Sequence, residues 1–134
     1  MTNEEFEIVL NERLADTKQR LASKAGEYAS GNNRMHNFEA SGRMNDESRE
    51  KALWGMMSKQ IVAVKDMVDM VENDDIDNIE LFQIDEKIGD TINYLILLEA
   101  MLIERVNNFL ALQMQEHVKN KAKSLKKSSC KCKH

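Results

Sequence analysis

"EKIGDTINYLILLEAM", residues 86–101, opens with charged and amide side chains and closes almost wholly apolar. On a helix each side chain turns about 100° from the last, so Glu86, Asp90, Asn93, Leu97 and Met101 fall on one line. "LILL" at 95–98 carries apolar groups around a full turn, the pattern of a helix covered on more than one side. The stretch therefore reads as a central helix. It places two carboxylates and an amide on a stripe otherwise filled by core residues.

The remaining sequence extends that reading to the whole chain. It has 134 residues, no proline and only five glycines, with good helix formers in the long segments and no β-branched alternation. One segment runs from about residue 3 to 28, with Phe6, Leu10, Leu14, Leu21 and Tyr28 in a narrow arc. The polar stretch "SGNNRMHNFEASGRMND" follows and reads as a loop by composition. A second helix is predicted over about 47–72, capped by Asn45 or Asp46, with a main stripe of Leu53, Met57, Ile61, Val64, Val68 and Val71. "ENDDIDNIE" links it to the central helix, which starts near 83 and runs at least to 105. "VNNFLALQMQEHV" either continues that helix or begins a fourth. The expected fold is all-α: one helical bundle of three to four helices over 1–118, self-associating as a homodimer, with a basic, disordered tail over 119–134.

The net charge of −4 hides an asymmetry, because residues 119–134 hold seven lysines and no acid. The other 118 residues carry 12 basic and 23 acidic side chains, too acidic a body for specific nucleic-acid binding. No apolar run is long enough to span a bilayer and the acidic start does not resemble a signal peptide, so the expectation is a cytoplasmic protein without a membrane partner. P-loop, G-x-S-x-G and H-E-x-x-H motifs are absent.

The predicted second helix repeats the pattern of the first quotation. Its other stripe reads Ala52, Met56, Lys59, Ala63, Asp66, Met70, with a lysine and an aspartate among small and apolar groups. Buried charges must be paired, hydrogen-bonded or bound to a metal. One reading is a salt bridge from Lys59 to Glu86 or Asp90 that fixes helix register. The other is a carboxylate site for a hard divalent cation, which in turn would bind phosphate oxygens. The C-x-C-x-H of Cys130, Cys132 and His134 has three ligands where a structural zinc site needs four, and reads as reduced thiols in a lysine-rich tail. The nine methionines and Trp54 read mainly as packing.

"LASKAGEYASGNNRMHNFEASGRM", "ALWGMMSKQIVAVKDMV" and "DEKIGDTINYLILLEAML" together resemble small phage proteins of the MazG-like kind. These are similar in turn to the nucleotide-modification-associated domain of the all-α NTP pyrophosphohydrolase superfamily. The resemblance covers about residues 20–103. It implies an α-helical bundle, often a homodimer or tetramer, that binds a nucleotide with Mg²⁺ (or Mn²⁺) and cleaves a nucleoside triphosphate to monophosphate and pyrophosphate, in the host cytoplasm for a phage-encoded chain. Carried over, it makes Glu86 and Asp90 the metal carboxylates and puts Asn93 and Tyr94 in the nucleotide pocket. Lys24, Glu27 and Tyr28 would join that pocket. Arg34 would meet a phosphate, and Asn37 and Phe38 a base or sugar. Glu27 or Asp66 would complete the site, with Lys59 neutralising phosphate. One departure stands out: the E-x-x-E pair of catalytic relatives is missing from the second helix, where Lys59 and Asp66 are the charges in its stripe. A nucleotide-binding protein without turnover, or one that inhibits a host-defence or polymerase protein by contact, is the alternative.

Overall fold

The computed structural model describes residues 1–23 and 31–130, with side chains described as far as 125. Its described elements are four α-helices and one 3₁₀ turn: α1 (Asn3–Ser23), α2 (His36–Asn45), α3 (Arg49–Glu72), the turn Ile76–Asn78 and α4 (Leu81–Cys130). The all-α expectation is met, and the described residues form no strand. Met1–Glu99 make one compact unit and the chain from Ala100 a second. None of the helices is long and apolar enough to cross a membrane.

The helix starts follow local chemistry. α1 opens on a reciprocal cap: the Glu5 amide donates to Thr2 Oγ1 at 3.1 Å, and the Thr2 amide donates to Glu5 Oε2 at 2.6 Å. α3 is capped by Ser48, whose hydroxyl accepts from the Lys51 amide at 3.1 Å. Asn45 and Asp46, the expected caps, instead close a helix that the sequence reading lacks. α2 occupies the stretch assigned to a loop, and Asp46 ends it in the left-handed conformation at φ 54°. The glycine- and asparagine-rich composition is overridden by burial, because Phe38 and Gly42 of α2 are sealed against α3.

At this corner the Glu47 amide donates to the Gly42 carbonyl at 2.9 Å. A Cβ on Gly42 would sit 2.7 Å from the Glu47 carbonyl oxygen, so only glycine lets the chain turn this tightly. Phe38, Ala52, Leu53 and Met57 form the buried apolar part of the corner. In α4, Leu97 and Met101 are buried as well.

Elsewhere the predicted stripes stay open to solvent. Phe6, Leu10 and Leu14 of α1 are exposed, as are Ile61, Val68 and Val71 of α3. Tyr28 lies outside the described residues. Val64, Met67, Val68 and Val71 line an apolar groove of about 200 Å³ with Ile79, Ile84 and Ile88. α4 is continuous from Leu81 to Cys130. Asn107 and Asn108 do not break it, and it includes residues 119–130 that were expected in a disordered tail.

Candidate functional site: a polar seam between α1 and α4

The deciding stripe of α4 does turn inward. Asn93, Leu97 and Met101 are buried and the Asp90 side chain is only 19% exposed. What meets its N-terminal part is not the charged stripe of α3 but a polar face of α1. Arg13, Thr17 and Arg20 follow one another at helical spacing, and Thr17 is buried. They turn inward while Phe6, Leu10 and Leu14 face water, because α4 presents carboxylates to them.

Asp85 bridges both arginines. Arg13 Nη2 donates to its Oδ1 and Arg20 Nη2 to its Oδ2, each at 2.7 Å. Arg20 Nη1 also approaches Asp90 Oδ1 at 3.8 Å, and Gln60 of α3 donates to Asp90 Oδ2 at 3.4 Å. The seam thus balances two guanidinium groups against two carboxylates. A Cβ at Gly89 would collide with the Arg13 guanidinium, so the bare glycine backbone makes the room Arg13 occupies.

Among the described residues three buried polar atoms of α1 and α4 have no hydrogen-bond partner: Arg13 Nη1, Thr17 Oγ1 and Asn93 Oδ1. A buried donor or acceptor left unmatched costs about 1–3 kcal/mol, which favours any water or ligand that completes it.

The sequence-derived residues distribute as follows. Asp90 belongs to the seam, and Asn93 is buried three residues further along the same stripe of α4. Glu86 lies one turn before Asp90 with its side chain 47% exposed, hydrogen-bonded by its neighbour Lys87 at 3.0 Å. Tyr94 is half-buried on the same helix. Lys59 and Asp66 are exposed on α3, contrary to the expectation that they turn inward; among the described residues neither pairs with Glu86 or Asp90. The apolar groups around them are too sparsely covered to draw their charges from water. Arg34 donates to the Leu21 carbonyl near the end of α1. Asn37 is exposed, and Phe38 is a fully buried core residue rather than a surface for stacking a base. Lys24, Glu27 and Tyr28 lie outside the described residues, as do Cys132, His134 and the side chain of Cys130.

The seam brings in Arg13, Thr17, Arg20, Gln60 and Asp85, none of which the sequence reading singled out. Their signal was present but offset: Arg13 and Arg20 sit one position from Leu14 and Leu21 of the apolar arc, and Asp85 immediately precedes the "EKIGD" motif.

No group of three or more His, Cys, Asp or Glu among the described residues is placed to hold a metal. Glu86 and Asp90 are a carboxylate pair one turn apart, too few oxygen donors by themselves to hold a hard divalent cation. No protein-family model, curated protein or solved structure matches the chain.

Proposed function

We propose that the chain is a Mg²⁺-dependent nucleotide-binding protein of the MazG-like kind, with the α1–α4 seam as its phosphate end. The observation that carries this reading is the meeting of two arginines and two aspartates, on helices that also bury polar atoms with no partner among the described residues. Guanidinium forks match phosphate oxygens, and carboxylates match the metal that travels with them. Arg13 and Arg20 would exchange part of their pairing with Asp85 for phosphate. Asp90 and Glu86 would hold the Mg²⁺, whose chemistry is to neutralise phosphate charge and polarise the bond under attack. Asn93 Oδ1 offers a buried acceptor to a sugar hydroxyl or base amine. The resemblance then assigns cleavage of a nucleoside triphosphate to monophosphate and pyrophosphate.

A second reading, binding without turnover, is favoured by a specific observation. Lys59 and Asp66, which stand in the stripe where catalytic relatives carry E-x-x-E, face water here, and Glu86 pairs with Lys87. Such a protein would sequester a nucleotide or act on a host-defence or polymerase protein by contact.

Titration calorimetry with a panel of (d)NTPs and Mg²⁺, run beside a pyrophosphate-release assay, separates the readings. Heat with pyrophosphate release that Asp90→Asn abolishes supports the enzyme. Heat with the ligand recovered intact supports the binder. No heat with any nucleotide removes both.

A further inference from the structure

From Leu102 to Leu125 every residue of α4 is exposed, so this length of helix buries none of its apolar side chains within the chain. An isolated helix of this size is marginal in water unless its apolar face is covered. That face has a particular order. Ile103, Leu110, Met114, Val118 and Leu125 lie within about 40° of one line at 100° per residue, and each is more than half exposed. Their positions are mirrored about Met114: Ile103 and Leu125 stand eleven residues away on either side, Leu110 and Val118 four. A sequence of contacts that reads the same in both directions is what a two-fold, antiparallel pairing requires, since residue i must meet residue j and j must meet i.

We infer that the distal half of α4 pairs antiparallel with the same helix of a second copy, with the two-fold axis at Met114. Charge selects this direction. A parallel pair would set Lys121, which lies within the stripe, against its own copy. The antiparallel pair sets Lys121 opposite Asn107, and brings Glu104 to the lysine-rich end of the partner. The pairing is independent of any nucleotide at the seam.

The test uses the full chain with Cys130→Ser and Cys132→Ser, carrying one new cysteine at a time. Met114→Cys should oxidise to a disulfide-linked dimer, because the two-fold brings that position onto itself. Leu110→Cys should not link to itself but should link when mixed with Val118→Cys. By light scattering the parent should run as a dimer or a multiple of it. Met114→Lys should raise the dissociation constant of that pair by roughly 100-fold, as two lysines would meet on the axis. A monomer at micromolar concentration overturns the proposal, whether α4 is then found on another protein or on a lipid surface. So does self-linking of Leu110→Cys as fast as Met114→Cys, the signature of parallel helices.

Discussion

At the α2–α3 corner Phe38, Leu53 and Met57 are sealed from solvent and the backbone closes around Gly42 with no room for a Cβ. Along the α1–α4 seam, in the same unit, the partners are charged: Arg13, Arg20, Asp85 and Asp90, all between 19% and 41% exposed. Apolar burial contributes about 1.5–3 kcal/mol for each large side chain and does not depend on pH or salt in any direct way. Partly exposed ion pairs contribute about 1 kcal/mol or less and are screened by salt. The corner therefore supplies stability, and the seam supplies specificity of docking along with polar groups that can change partners.

The strongest blow to the corner is Leu53→Ala. The side chain is fully buried, so truncation should cost about 3 kcal/mol from lost transfer and the cavity left behind. Denaturant unfolding would show the midpoint fall with little change in slope. Gly42→Ala comes next, at about 2 kcal/mol, because the new methyl meets the Glu47 carbonyl rather than a side chain that can move. If thermal melting shows Gly42→Ala as stable as the parent, the turn at Glu47 has room for a methyl group and the corner is loose.

At the seam the expected effect is smaller and of another kind. Asp85→Asn removes the carboxylate shared by Arg13 and Arg20 and should cost about 1 kcal/mol, discounted because Asp85 is 41% exposed. Raising the salt concentration should shrink the difference between variant and parent at the seam and leave that of Leu53→Ala in place. Equal salt response in both regions would erase the contrast between them. The same variant removes the carboxylate that neutralises Arg13 and leaves Arg20 only its pairing with Asp90, so on the proposed nucleotide-binding reading affinity should rise rather than fall, which calorimetry can read.

This contrast also explains how much was legible in the sequence. Period alone gave the three long helices, the inward line Asp90–Asn93–Leu97–Met101 and the buried pair Leu53 and Met57. It misjudged α1, because a narrow arc of Phe6, Leu10 and Leu14 outweighs Arg13, Thr17 and Arg20 on any hydrophobicity count, yet carboxylates on α4 select the polar face. It misjudged α2 because asparagine and glycine weaken a helix locally, while the anchor that holds this one, Phe38 against α3, is tertiary. Lys59 and Asp66 shared a stripe with apolar groups, but a stripe shows periodicity and not cover, and in this chain α3 is only partly covered.

The mildest test concerns the surface strap over the corner. Glu39 of α2 accepts from Asn33 Nδ2 at 2.7 Å and from Arg49 Nη1 of α3 at 3.1 Å. The Asn33 amide above all, and the Arg49 and Arg43 guanidinium groups with it, hold the Glu39 carboxyl below its ordinary value against an opposing push from partial burial. A carboxylate whose folded pKa is depressed contributes stability that is complete above its unfolded value. That contribution is lost as the pH falls through the folded one. Glu39→Gln should therefore be less stable than the parent near neutral pH, and the gap should close on acidification below the ordinary carboxylate range. Urea midpoints for the two proteins at a few pH values measure it. A gap that stays constant with pH would mean that the strap works by shape and hydrogen bonding alone, and that the corner, unlike the seam, owes nothing to charge.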